Sequence, residues 1–201
     1  MSDVVEDDGR PRCDWAATQS ALYRDYHDQE WGRQLRGGAA LFERMSLEAF
    51  QSGLSWLIIL RKRDNFRAAF DGFDIETVAR YTDRDVTRLM ADVGIVRNRA
   101  KIEASIISAR AWLKIQEGPG FSNYLWGFVD GAPIQNAFRH SSEIPCQTEL
   151  SVRLSKDLKG RGFNFCGPTI VYAFCQATGM VNDHLVSCWR HSECAALAKP
   201  A

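Results

Sequence analysis

Apolar residues recur at helical spacing along most of this chain, and alternating stretches typical of β-strands are scarce. This spacing constrains the fold more than any other feature, because each amphipathic helix must bury its apolar face against another element. The predicted helices cover residues 40–52, 56–70, 75–81, 83–93, 98–116, 149–159 and 169–178, with a short aromatic helix or turn at 124–129 and a last helix that begins near Asp183. Short connections between these helices predict an all-α architecture.

The composition is that of an ordinary soluble protein with one core. The chain has 201 residues, of which 45% are apolar and 25% charged, and this length suffices to bury a sizeable core. We expect a single domain over residues 12–192, between a disordered acidic tail at 1–11 and a flexible tail at 193–201. No membrane span and no secretory signal is recognisable. We therefore expect a cytoplasmic protein whose cysteines are thiols or metal ligands, not disulfides.

The overall charge gives no sign of a strong nucleic-acid binder. Lysine and arginine together number 25, as do aspartate and glutamate, so the formal net charge is zero. Proteins that bind nucleic acid non-specifically usually carry a basic excess. Any DNA site in this chain must therefore be a local basic patch.

Four side chains near the two ends of the chain form a candidate metal-binding set. His184 and Cys188 are four residues apart, a spacing that places both on one face of the predicted last helix. With Cys13 and His27 they make a Cys2His2 set, which is a familiar zinc ligand set. Four protein ligands leave no open coordination position, so such a zinc would be structural.

Other interpretations of these residues stay open from the sequence alone. His184 and Cys188 would also suit a buried pair without metal, and His191 and Cys194 are rival ligands nearby. An iron–sulfur cluster is disfavoured because the cysteine gaps do not match ferredoxin-type runs.

Aromatic residues are dense around one isolated acid. Residues 14–15, 26–32 and 54–56 are rich in tryptophan and tyrosine, and Glu48 lies among apolar neighbours in the predicted helix before residues 54–56. Flat aromatic rings around a carboxylate suit a flat, cationic ligand that donates hydrogen bonds, such as an alkylated adenine. The alternative is that the aromatics form core and that Glu48 is a solvated helix residue.

A possible phosphate site lies between two predicted helices, at residues 92–101. Gly94 permits a tight turn, and the helix that follows offers free backbone N–H groups and the positive end of its dipole. Local positive charge comes from Arg97, Arg99 and Lys101, with a second basic cluster at residues 61–63. The alternative is an ordinary connection between helices with solvated charges.

Five stretches, in order along the chain, resemble the 3-methyladenine DNA glycosylase I family, the constitutive alkylation-repair glycosylases of bacteria. They are residues 12–15, 26–32, 51–56, 94–102, and 181–184 followed by Cys188. The resemblance spans Arg12 to Cys188, which is nearly the whole chain.

The resemblance implies a helix–hairpin–helix fold in which one structural zinc joins the N- and C-terminal regions. The implied zinc ligands are Cys13, His27, His184 and Cys188. The implied base pocket is formed by Trp15, Tyr26, Glu48 and Trp56. The implied DNA contacts are Gly53, Leu54, Gly94, Arg97, Arg99 and Lys101. We expect Leu54 to wedge into the gap near the flipped base, with an ordinary core leucine as the alternative.

The implied activity is hydrolysis of the N-glycosidic bond of 3-methyladenine in double-stranded DNA, which leaves an abasic site and free base. The base must be flipped out of the stack, and its existing positive charge makes it a good leaving group without a general acid. Glu48 would recognise the base. Asp130 has no surroundings that suit a catalytic aspartate, and we assign it no role. We expect a monomer with no membrane contact.

Two departures from the family pattern concern the pocket. Asp14 stands where the family commonly has glycine, and Ala49-Phe50 follows Glu48 where a small or polar pair is usual, so we expect Phe50 to reshape the pocket edge.

Two rival functions are a lesion-binding protein without turnover and a zinc hydrolase. Release of base tests the first, and the closed ligand set argues against the second.

Overall fold

The computed structural model describes residues 8–17 and 20–198, and most of this part of the chain is helical, as the sequence predicts. In the described residues the helices are α1 (Ala21–Gln29), α2 (Gly38–Gln51), α3 (Trp56–Ala69), α4 (Ile75–Ala79), α5 (Asp83–Ala91), α6 (Arg99–Gln116), α7 (Phe121–Trp126), α8 (Glu149–Gly160), α9 (Pro168–Ala177) and α10 (Trp189–Leu197). Two short strands, β1 (Ile134–Gln135) and β2 (Val181–Asn182), pair in parallel. Single 3₁₀ turns lie at Asp14–Ala16, Asp71–Phe73, Gly127–Val129 and Ser141–Glu143.

Local capping groups explain why several helices begin where the sequence predicts. Asp74 accepts a hydrogen bond from the Thr77 N–H at 2.9 Å and so caps α4. The Asn98 side chain caps α6 in the same way. Pro168 occupies the first position of α9, where its missing N–H costs nothing.

The last helix begins at Trp189, so the prediction that it begins near Asp183 is wrong. Residues 181–182 are held instead as strand β2, and the Asp183 carboxylate is buried as a hydrogen-bond acceptor. Its donors are the side chains of Asn136, Tyr172 and Gln176. His184 and Cys188 therefore lie on an irregular turn and not on one face of a helix.

The core lies around α2, whose buried face contacts α3, α6 and α9. Phe50 is fully buried on this helix and packs against Phe66 and Phe70, with ring centroids 4.7 and 5.8 Å away. Phe50 is thus a core residue, and the expectation that it reshapes the pocket edge is wrong. The reason is that the helix directs Phe50 and Glu48 to different sides.

The predicted tails are only partly described. Residues 1–7 of the predicted acidic tail lie outside the described residues, and Asp8 forms an ion pair with Arg12 at 2.8 Å. At the other end α10 continues to Leu197, and residues 199–201 lie outside the described residues. Within the part of the chain that is described, none of the helices has the length and apolar character needed to cross a membrane.

Candidate active site and metal centre

The four predicted metal ligands meet in space. The ligand atoms of Cys13, His27, His184 and Cys188 all lie within 4.8 Å of one another, and all four residues are buried. Cys188 Sγ is 3.5 Å from His27 Nε2 and 3.6 Å from His184 Nδ1. Zinc–sulfur and zinc–nitrogen bonds of ordinary length at a tetrahedral angle would place sulfur and nitrogen about 3.6 Å apart. The donor set and its spacing thus fit a tetrahedral metal ion.

The outer side of each imidazole in this cluster also has a partner. His27 Nδ1 is 2.7 Å from the Asp28 carboxylate, and His184 Nε2 is 3.1 Å from the Trp31 carbonyl oxygen. Such partners fix the tautomer and orientation of metal-binding histidines. The rival residues point elsewhere: His191 contacts the Asn136 carbonyl, and the Cys194 thiol accepts a hydrogen bond from Arg190.

Gly32 allows the N-terminal segment to approach His184 closely. Its φ is +77°, and a Cβ at this position would lie 2.7 Å from His184 Nε2. Only glycine combines this backbone conformation with this contact. The segment after α1 can therefore cover the cluster directly.

A cavity of about 480 Å³ lies beside this cluster. It is lined by Asp14, Trp15, Tyr23, Tyr26, Trp31, Glu48, Gln51, Trp56, Ser141, Ile144, Ala173 and Gln176. All four residues predicted for the base pocket are among them. The volume is within the range of small-molecule sites.

Helix α1 connects the cavity to the Cys2His2 cluster. Tyr23, Tyr26 and His27 stand at positions i, i+3 and i+4 and so share one side of the helix. The two tyrosines line the cavity, while His27 belongs to the cluster. Trp31 contacts both the cluster and the cavity wall. Its ring lies 4.6 Å from the ring of His184 in the cluster and 5.1 Å from the ring of Trp15 in the cavity wall. The aromatic wall is therefore supported by the cluster.

Glu48 is the buried acid of this cavity. It is only 4% exposed, and no hydrogen-bond donor in the described part of the chain contacts its carboxylate. Burial raises its pKa to about 7, and the positive charge of Arg44 opposes this rise. The indole N–H of Trp56 is also buried without an acceptor among the described residues. One wall of the cavity thus holds an unpaired acceptor and an unpaired donor, and such groups are costly to leave unpaired.

Glu30 lies outside the cavity and has a structural role. Its carboxylate accepts hydrogen bonds from Arg44 at 2.9 Å and from Arg63 at 2.7 Å. Arg44 also donates to the Tyr26 hydroxyl at 2.9 Å and lies against the rings of Tyr26 and Trp56. Glu30 therefore holds the arginine that positions the aromatic wall.

The Gly53–Leu54 turn follows α2 at the edge of a neighbouring cavity. Gly53 has a φ of +80° and ends the helix, and the Leu54 side chain is 39% exposed. This second cavity shares Glu48, Gln51 and Ala173 with the first. Leu54 is thus an exposed apolar side chain next to the site, which argues against the core alternative.

The predicted phosphate-binding turn connects α5 and α6. Lys62 donates to the carbonyl oxygens of Val93 and Gly94 at 3.1 and 3.0 Å and so supports the turn. The turn is closely packed at Gly94, because a Cβ there would lie 2.9 Å from Asp92 Oδ1 and 3.1 Å from Asn65 Cβ, so a larger residue would require these side chains to move. Arg97 is exposed and has no polar partner among the described residues, whereas Arg99 pairs with Glu103 at 3.3 Å.

Lys101 has a different environment from the one that the sequence suggested. It is 6% exposed, and its ammonium donates to the carbonyl oxygens of Phe50 and Ser52 at 2.8 and 2.5 Å. The lysine therefore caps the C-terminus of α2. Its ammonium group is therefore occupied by these two carbonyl oxygens and is not exposed for contact with DNA.

Several cavity residues were missed by sequence analysis. Tyr23 could have been found from its i, i−3 relation to Tyr26 once α1 was recognised. Gln176 had no such signal, because Asp183 accepts a hydrogen bond from its side-chain amide at 2.8 Å only through tertiary contacts. Ser141 and Ile144 come from an irregular segment with no periodic pattern.

Comparison with known proteins gives consistent matches over most of the chain. Residues 15–191 match the family described as methyladenine glycosylase. DNA-3-methyladenine glycosylase 1 of Escherichia coli K12 is 48% identical over 178 residues, which cover 88% of this chain and 95% of that protein. A crystal structure of 3-methyladenine DNA glycosylase I superposes with a TM-score of 0.87 at 47% identity, covering 90% of this chain and all of the other. A Staphylococcus aureus structure, described as the structural basis of 3-methyladenine recognition, gives 0.85 at 37% identity and covers 93% and 96% of the two chains.

Proposed function

The chain belongs to the methyladenine glycosylase family, and from that premise we propose how its own residues carry out the reaction. The activity is base-excision repair: hydrolysis of the N-glycosidic bond between 3-methyladenine and deoxyribose in alkylated DNA. The products are free base and an abasic site.

The cavity holds the flipped base. Trp15, Tyr26 and Trp56 supply flat apolar walls, and Glu48 accepts hydrogen bonds from the donor edge of the base. The observation that carries this assignment is the Glu48 carboxylate, which is buried in an aromatic cavity without a donor of its own. A cationic adenine with an exocyclic amine offers both a positive charge and a hydrogen-bond donor to this carboxylate.

The positive charge of the methylated base makes acid catalysis unnecessary. While the base is attached to the sugar, methylation at N3 leaves it cationic. When the C1′–N9 bond breaks, its electron pair moves onto the purine and neutralises that charge. Water then adds to C1′ and releases a proton to solvent. Glu48, Tyr26 and Trp56 contribute by binding and orienting the extrahelical base.

Double-stranded DNA is held outside the cavity. We assign Leu54 to the gap left by the flipped base, because it is exposed on the turn beside the cavity. The turn between α5 and α6 acts as a helix–hairpin–helix element that binds backbone phosphate through its N–H groups and Arg97. Arg99 adds charge at the start of α6. Lys101 acts indirectly, since it connects α6 to the Gly53–Leu54 turn.

The Cys2His2 cluster is proposed to bind one structural zinc per chain. The four donors, their burial and their sulfur–nitrogen spacing fit this ion. When bound, zinc would supply cross-linking between the chain ends and no open position for chemistry. A monomeric, cytoplasmic protein stays our prediction.

The experiment that tests the activity is incubation with methylated duplex DNA and identification of the released base by chromatography. We expect 3-methyladenine to be released and abasic sites to appear in equal number. Glu48→Gln should bind the same DNA and release far less base. Binding of methylated DNA without release by the parent protein would indicate a lesion-binding protein instead.

A further inference from the structure

The cavity is bordered by two acids at different depths. Asp14 and Glu48 both line it, and no lysine, arginine or histidine is among its described lining residues. Glu48 is buried, whereas Asp14 is exposed. When Glu48 is ionised, negative charge therefore extends from the buried wall of the cavity to its exposed rim.

A long-range hydrogen bond fixes Asp14 at this rim. The Ser141 hydroxyl donates to Asp14 Oδ2 at 2.5 Å, although 127 residues separate the two positions. Ser141 begins the 3₁₀ turn Ser141–Glu143, and Ile144 follows it on the cavity wall. A carboxylate has more acceptor positions than one hydroxyl can use. The bridge thus fixes Asp14 while leaving its charge available to the cavity.

We propose that Asp14 is a specificity-determining residue of the base cavity, whose carboxylate, held by Ser141, favours cationic purines over neutral purines of similar shape. The proposal rests on the assignment of this cavity to the base. A cation gains attraction from both acids, whereas a neutral purine gains only the hydrogen bonds to Glu48. Because Asp14 is exposed, solvent screens its charge and the gain is modest.

Two probes that share the 3-methyl group and the exocyclic amine separate charge from shape. One is 3,9-dimethyladeninium, a fixed cation that resembles the base while it is attached to sugar. The other is 3-methyladenine in mildly alkaline buffer, where it is neutral. Asp14→Asn should weaken binding of the cation about two- to fivefold, the size expected for an exposed charge pair. Binding of the neutral probe should not change.

The affinity of each variant for the two probes is measured by calorimetric titration, and three further variants are included. Asp14→Gly should show the same selective loss, and Ser141→Ala a smaller one, because the charge remains but is no longer held. Asp25→Asn removes an equal charge from an exposed acid of α1 outside the cavity and should change neither affinity. Metal content and melting temperature are measured for each variant, since Asp14 follows Cys13.

Two results would overturn the proposal. If Asp14→Asn leaves both affinities unchanged, the rim charge has no role in selection. If it weakens both probes equally, Asp14 positions the cavity wall and does not select charge. Glu48→Gln distinguishes either result from failure of the cavity assignment, because a Glu48→Gln protein that binds the cation as tightly as the parent would show that the base binds elsewhere.

Discussion

Cys13 Sγ lies 3.6 Å from His184 Nδ1, although 171 residues separate them in the chain. Cys13 precedes the first aromatic residues of the cavity, and His184 follows strand β2. This contact brings both ends of the domain to the back of the cavity, where His184 supports Trp31. The Cys2His2 cluster and the aromatic cavity are therefore two sides of one structure.

Cys188→Ser is expected to lose bound metal and to melt at a lower temperature. The binding free energy of a structural zinc is folding free energy, since the unfolded chain lacks the site. Metal analysis and calorimetry measure both effects. Cys146→Ser is the matched control, because this cysteine is exposed and outside the cluster. A metal-free parent protein of undiminished stability would contradict the zinc assignment.

Glu48→Gln is expected to lose most of the excision rate and most of the affinity for the base, while it still folds, retains metal and binds DNA. The amide keeps the shape but removes the charge and turns a donor toward the base. Hydrogen bonds to charged groups contribute roughly 1.5–3 kcal/mol each, which corresponds to about tenfold or more in affinity. Glu30→Gln is the matched control for the loss of affinity, and its effect should be much smaller.

The raised pKa of Glu48 predicts opposite effects of pH on activity and on stability. Binding of a cationic base requires the ionised carboxylate, so kcat/KM should rise as pH rises through about 7. The contribution of this group to folding stability is complete below its ordinary pKa of 4.5 and is lost as pH rises through about 7. Glu48→Gln should therefore be more stable than the parent in alkaline buffer, by at most about 3 kcal/mol, and not in acid. Denaturant titrations of both proteins across this range measure the difference, and an equal difference at all pH values would contradict it.

Leu54→Ala is expected to weaken excision from duplex DNA while leaving free-base binding nearly unchanged. The side chain is already 39% exposed, so its truncation should lower the melting temperature little. Comparison of duplex and single-stranded methylated substrates is the sharpest measurement, because only the duplex has a gap to fill. A large loss of stability would instead identify Leu54 as part of the core.

Arg97 and Lys101 should respond differently to truncation, although both were predicted to bind DNA. Arg97→Ala should weaken binding to all DNA sequences alike and reduce the salt slope by about 1, as expected for a phosphate contact. Lys101→Met should lower the free energy of unfolding, because the carbonyl oxygens of Phe50 and Ser52, at the end of α2, lose their charged donor. Salt-dependent binding and denaturant titration of both variants separate the two roles.

The sequence by itself determined the helical architecture, because caps such as Asp74 and Asn98 and the spacing of apolar residues act over one or two turns. It also identified the candidate ligands and pocket residues, because most of them lie in short stretches that resemble a known family and follow one another in the same order. The true start of α10 was not predictable, since the Asp183 carboxylate is held outside the helix by hydrogen bonds from Asn136, which follows β1, and from Tyr172 and Gln176 of α9. The burial of Lys101 and the hydrogen bond between Ser141 and Asp14 could not be predicted from the sequence for the same reason. Each depends on a partner far away in sequence, and only the packed chain brings those partners within hydrogen-bonding distance.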